Sequence, residues 1–135
     1  MRFPSLVVVR DLSGVLDPTY VAGNGGTDVN DVDTSGANQL ALFLTITKGS
    51  LATVYLKVEL VTPTGGLYQE VSAVASGGLT ALRPMEYAID TANLDTEQKL
   101  FLPIPVLGDR ARISAKGLQN NAGSQLQIHA AAALI

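Results

Sequence analysis

The stretch Gln39-Leu40-Ala41-Leu42-Phe43-Leu44-Thr45-Ile46-Thr47-Lys48-Gly49-Ser50-Leu51-Ala52-Thr53-Val54-Tyr55-Leu56-Lys57-Val58-Glu59-Leu60 decides the fold class. Leu40, Leu42, Leu44 and Ile46 share one parity, and Gln39, Ala41, Phe43, Thr45 and Thr47 share the other. After Lys48-Gly49-Ser50 the alternation resumes, with Val54, Leu56, Val58 and Leu60 set against Tyr55, Lys57 and Glu59. A period of two sustained over this length is a pleated strand with one face buried. The short polar gap holding Gly49 predicts a tight hairpin turn with one residue at positive φ. Two strands cannot bury their apolar face alone, so the rest of the chain must supply a second sheet.

The flanking sequence repeats the same pattern. Pro63-Thr64-Gly65-Gly66 is a turn signal, and residues 67–74 follow as a strand. Ser76-Gly77-Gly78 leads into a strand over 79–82 that Pro84 ends or confines to an edge. Residues 85–89 form another short strand, and 90–97 a polar connection with room for one helical turn. Residues 99–106 carry Pro103 and Pro105, which places that strand at a sheet edge. Arg110-Ala111-Arg112-Ile113-Ser114-Ala115-Lys116 alternates with its cations outward, and a Gly/Asn loop separates it from a last strand over 125–135. Strands at hairpin spacing without an amphipathic helix predict an all-β protein, an antiparallel β-sandwich in jelly-roll form.

The first 36 residues are the least regular. Leu6-Val7-Val8-Val9 is too short for the apolar core of a signal peptide and is closed by Arg10 and Asp11. It is expected to form a strand that is buried or touches another subunit. With the Gly-rich and acidic loop 23–36 it makes residues 1–36 an extended N-terminal arm with a mobile loop, leaving 37–135 as the β-sandwich of a single globular domain. No stretch approaches the ~20 apolar residues of a membrane-spanning helix.

With 135 residues, the chain is long enough to bury roughly two-thirds of its unfolded surface without covalent help. Zero cysteines remove disulfides, thiolate nucleophiles and Cys-type metal sites together. A net charge of -3 leaves no basic footprint for nucleic acid and no anchor for anionic lipid. Charged residues make up 16%, against the roughly 25% usual in soluble domains. That shortage fits either a small-residue core or apolar surface covered by another subunit.

The search for chemistry returns little. The one histidine, His129, has no second His or carboxylate in its strand, so it is expected to be an ordinary half-exposed residue. No serine sits in a Gly-x-Ser-x-Gly elbow, and zinc ligands are lacking. Asp28-Val29-Asn30-Asp31-Val32-Asp33 is the one ion-like constellation, with hard oxygens at alternating positions. A calcium loop beginning at Asp28 would need an acidic or amide residue where Val32 stands and Glu where Gln39 stands, so a solvated loop is expected. Glu59, Glu70 and Glu86 are candidates for paired carboxylates only in number, and surface positions are expected for them. Lys57, Arg110, Arg112 and Lys116 form a basic set in which no aromatic platform for single-stranded nucleic acid is visible. The chain is expected not to be an enzyme and to need no cofactor or metal.

The run Ser35-Gly36-Ala37-Asn38-Gln39-Leu40-Ala41-Leu42 through Thr47-Lys48-Gly49-Ser50 carries a resemblance, together with Val54-Tyr55-Leu56-Lys57-Val58-Glu59 and Gly66-Leu67-Tyr68-Gln69-Glu70. Leu100-Phe101-Leu102-Pro103-Ile104-Pro105 and Arg112-Ile113-Ser114-Ala115-Lys116-Gly117 extend it over roughly residues 35–135. The chain resembles small tailed-bacteriophage virion proteins of the head decoration, or cement, kind. The resemblance implies a non-enzymatic β-sandwich, made in the host cytoplasm, that binds the outer surface of an assembled capsid and stabilises it, commonly as a homotrimer. Its implied partners are the major capsid protein and further copies of itself, with neither nucleic acid nor membrane. A capsid contact is expected at Phe3, Leu6 and Val8. A subunit interface is expected at Ala131, Ala133 and Ile135, because the alternation breaks down in Ala130-Ala131-Ala132-Ala133-Leu134-Ile135 and both faces become apolar. A phage tail or baseplate component and a carbohydrate-binding module are the competing expectations. A sugar-binding face offers exposed aromatics, and Phe43, Tyr55, Tyr68 and Tyr87 are few and scattered.

Overall fold

A computed structural model describes residues 6–11, 19–23, 29–68, 85–91, 94–106, 108–118 and 124–135. The described residues form ten strands: β1 (Val7–Arg10), β2 (Val21–Ala22), β3 (Val32–Asp33), β4 (Gln39–Thr47), β5 (Thr53–Val61), β6 (Leu67–Tyr68), β7 (Glu86–Asp90), β8 (Glu97–Pro105), β9 (Arg110–Leu118) and β10 (Gln125–Ala133). One sheet has the order β1-β10-β4-β8, and the other runs β2-β9-β5-β6 with β3 also on β9 and β7 also on β5. All pairings are antiparallel. The two sheets pack against each other as a β-sandwich. The pairings also nest: β1 with β10, β2 and β3 with β9, β4 with β8, and β5 with β7.

The alternating residues build the core. Leu40, Leu42, Leu44 and Ile46 of β4 meet Val54, Leu56 and Val58 of β5, Ala111, Ile113 and Ala115 of β9, and Leu126, Ile128 and Ala130 of β10 in one buried cluster. Leu60 departs from its parity: it is half-buried, and the following Val61 is buried instead.

The hairpin expected across Gly49 does not form. β4 pairs with β10 and β8, whereas β5 pairs with β9, β7 and β6, so the two strands lie in different sheets. Gly49 does take the positive φ foreseen for it, at 51°. The connection 48–52 crosses the end of the sandwich and is tied down there. The Lys48 N–H donates to the Thr96 carbonyl at 3.0 Å, the Ser124 hydroxyl donates to the Lys48 carbonyl at 2.9 Å, and Leu51 is buried. Alternation reports which face of a strand is buried but not which strand lies beside it, and a five-residue connection suits a crossing as well as a hairpin.

The N-terminal segment differs from the expected arm. Where it is described, it supplies three outer strands, with Val9 and Val32 in the core. β1 lies along β10 with a bulge between Val8 and Arg10, and the buried Arg10 donates its Nε–H to the Leu126 carbonyl at 3.1 Å. Burial lowers the Arg10 pKa. The loop around Asn24 and the strand expected at 79–82 lie outside the described residues. The turn at Pro63 forms, closed by Thr62 N–H donating to the Gly66 carbonyl at 2.9 Å, with Gly65 at φ 87°. β8 stands at the end of its sheet, where its prolines put it.

Candidate binding surface

The outward face of the β1-β10-β4-β8 sheet carries an apolar row. The register sets Val8 against His129, His129 against Phe43, and Phe43 against Phe101, so one residue from each strand falls in line across the sheet. The Phe43 and Phe101 rings lie 5.3 Å apart between centroids and are tilted by 36°, a favourable offset geometry. Leu6 and Phe101 are each 54% exposed and Val8 is 40% exposed. A cleft of about 470 Å³ lies here, lined by Leu6, Phe43, Phe101 and His129 with Gln127 and Lys99 at its polar side. The next row inward along the strands, Ala131, Ala41 and Pro103, is made of small residues. The chemical content of this face is apolar area with one imidazole in the middle, which suits contact with another protein surface.

The outward face of the other sheet is ionic. Asp31 holds the Arg112 guanidinium bidentately, accepting from Nε–H at 2.8 Å and from an Nη at 3.1 Å, with Arg110 at 4.0 Å. This bond ties the loop before β3 to β9 and raises the Arg112 pKa. Tyr20, brought in by β2, lies under two ammonium groups, with Lys57 Nζ 4.7 Å and Lys116 Nζ 4.5 Å from its ring centre. Lys116 also sits 5.0 Å from the Tyr55 ring. The aromatic residues that the sequence reading missed among these cations are therefore Tyr20 and Tyr55. A lysine signal was visible, but the tyrosine that joins it comes from a strand 37 residues away from Lys57 in the chain. Burial, then the Glu86 carboxylate and Tyr55, push the Tyr20 hydroxyl up to about 12. The cations of this face are committed to partners: Lys57 also reaches Glu59 at 3.6 Å.

The acidic loop is divided among separate tasks. Asp31 serves Arg112. Asp33 accepts from the Ser35 N–H at 2.9 Å and from its hydroxyl at 2.6 Å, which holds the carboxyl below its ordinary range. Asn30 donates to the Val8 carbonyl at 2.9 Å. Among the described residues no three His, Cys, Asp or Glu side chains gather as a metal would require. Asp28 and Glu70 lie outside the described residues.

The residues expected to touch a capsid divide: Leu6 and Val8 stand on the apolar face, and Phe3 lies outside the described residues. Those expected at a subunit interface divide as well. Ile135 is 73% exposed, but Ala131 at 1% and Ala133 at 6% are already buried within one chain, so they present no free surface to a neighbour. The Ala130–Ala133 end of the last strand is thus covered within one chain, and the loss of alternation there reflects intrachain packing of small side chains. No protein-family model, curated protein or solved structure matches the chain.

Proposed function

We propose that the chain is a non-enzymatic structural protein of a phage particle, a jelly-roll β-sandwich that docks on the outer capsid surface and stabilises it. The observation that carries this reading is the row Val8, His129, Phe43 and Phe101 beside Leu6. Leu6 and Phe101 are 54% exposed and Val8 40%, with Phe43 and His129 half-buried between them across the face of a regular sheet. The nested pairing of β1–β10 through β5–β7 supports the jelly-roll form, since that fold arises when one long nested hairpin wraps into two sheets. The major capsid protein is the partner this reading implies. The homotrimer belongs to the same reading and rests on the resemblance, because Ala131 and Ala133 do not supply a contact.

Immunogold labelling of virions, with co-sedimentation of the protein on purified capsids, tests the proposal. Label on heads, lost for a Leu6→Asp/Val8→Asp double variant that keeps its melting temperature, is the expected result. Label on tails would move the protein to the baseplate, and the absence of label from virions would end the proposal.

A further inference from the structure

His129 is the one histidine of the chain, and the fold sets it in the middle of the apolar row. Val8 of β1 flanks it on one side and Phe43 of β4 on the other, with Phe101 of β8 beyond. Along its own strand the same face carries Gln127 and Ala131, since side chains two residues apart point the same way. The imidazole is half-buried and lines the cleft with Leu6, Phe43 and Phe101. The other members of the row are uncharged at every pH, whereas an imidazole changes its charge between about pH 5 and 8.

Few charges face it from the strands around it. Neither β4 nor the rest of β10 contains an ionisable side chain. On β1, Arg10 is buried with its Nε–H on the Leu126 carbonyl. Asp11 follows one residue beyond the Arg10–Ile128 pair, so it falls towards Gln127 rather than His129. On β8, Lys99 stands one row along, level with Thr45 and Gln127, and Glu97 two rows along, level with Thr47 and Gln125. On β3, the Asp33 carboxylate accepts from Ser35. Among the described residues no carboxylate forms an ion pair with the imidazole. Lys99 borders the same cleft, so a proton on His129 adds a second positive charge there.

We propose that His129 regulates the capsid docking proposed above, on which this inference rests: the neutral imidazole permits docking and the imidazolium reverses it. Docking on this face strips water from a ring whose neighbours are Val8, Phe43, Ala131 and the uncharged amide of Gln127. A charged ring loses far more solvation than a neutral one, and none of these neighbours carries a countercharge. The docked state therefore disfavours the proton. Docking is complete where the free protein carries a neutral ring, and it is lost as pH falls through the range of proton uptake. Where the docked state excludes the proton, the dissociation constant rises up to about tenfold for each pH unit below that range. Imidazoles take up their proton around pH 6.5, so the loss between about pH 7.5 and 5.5 is roughly tenfold.

Co-sedimentation on purified capsids from about pH 8 to 5, with the melting temperature followed over the same range, tests this. His129 gives the only imidazole signals in the proton NMR spectrum of the free protein, and these locate its proton uptake directly. Wild type is expected to bind about tenfold more weakly at pH 5.5 than at pH 7.5, across the range those signals mark, while remaining folded. His129→Gln keeps a neutral polar side chain and is expected to bind equally at both pH values. Wild-type binding that does not change would overturn the inference. So would binding that tightens at low pH, which would mark a carboxylate opposite the ring, or a His129→Gln variant that loses capsids as wild type does. In each of these cases docking itself stands. No binding at pH 7.5, or a Leu6→Asp/Val8→Asp variant that binds as wild type does, would instead overturn the docking reading and this inference with it.

Discussion

Replacing Ala131 by glutamate separates a residue buried by its own chain from one awaiting a neighbour. Ala131 is 1% exposed and lies directly opposite Ala41, itself 3% exposed, in the middle of the β1-β10-β4-β8 sheet. A glutamate there adds four heavy atoms, a methylene and a carboxylate, to a site sized for a methyl group. Overpacking of this kind costs roughly 1–3 kcal/mol, and an unpaired buried charge adds several kcal/mol more. A total of roughly 4 kcal/mol or more is a large part of the about 5–15 kcal/mol that holds a domain of this size together. Urea denaturation followed by circular dichroism should show Ala131→Glu strongly destabilised, and Ile135→Glu, at a 73% exposed position, within about 0.5 kcal/mol of wild type. The penalty should also depend on pH. Burial raises the folded-state pKa of the introduced carboxyl above its unfolded value of about 4.3. Stability close to wild type in the charge component is therefore present below that value and is lost as pH rises through the folded pKa. An Ala131→Glu variant with the wild-type denaturation midpoint at pH 7, but altered association, would refute intrachain burial and restore the residue to an interface.

Three further outcomes follow from the ionic face and the turns. Asp31→Ala removes the bidentate partner of Arg112 and should destabilise by about 1–3 kcal/mol in thermal unfolding, while Arg112→Lys, which keeps the charge but not the fork, should retain part of that stability. The Tyr20 hydroxyl is raised to about 12 in the folded state against about 10 unfolded, so its contribution is complete below pH 10 and is lost as pH climbs from 10 to 12. Denaturation midpoints of Tyr20→Phe should accordingly fall less than wild type across that range. Gly65→Ala meets no neighbour within 4 Å but must hold φ at +87°, so a loss of about 1 kcal/mol is expected from backbone strain alone, read by denaturation midpoint.

What the chain discloses before folding is a matter of range. Leu40 to Ile46 and Val54 to Val58 declare their buried faces because a period of two is local, and the core contains those residues. The partner of each strand is not local, so β4 and β5 read as neighbours although their apolar faces meet from opposite sheets. The apolar row shows the same limit. Val8, Phe43, Phe101 and His129 are spread over most of the sequence, and only the register of four strands brings them into line. Tyr20 could not be placed between Lys57 and Lys116 without knowing that β2 lies along β9. Ala131 and Ala133 misled for another reason: small side chains in a central strand become covered by their larger neighbours, which from sequence is indistinguishable from cover by a second molecule.

The nested pairing has a consequence for where contacts can form. Among the described residues it leaves β1 and β8 at the two ends of one sheet, and a sheet edge invites further strands. The sequence treats these ends differently. β1 is four residues long, and its bulge between Val8 and Arg10 breaks the regular spacing a partner strand would need. β8 is nine residues long, and Pro103 and Pro105 silence only its second half. Blocking the whole edge would have needed prolines or an inward charge at Lys99 and Phe101 as well, and neither is there. Half-blocking does not prevent pairing; it removes two donors from the edge and leaves all its carbonyls. An edge with fewer donors gains less from each added strand, and the exposed Phe101 stands where the apolar face and that edge meet.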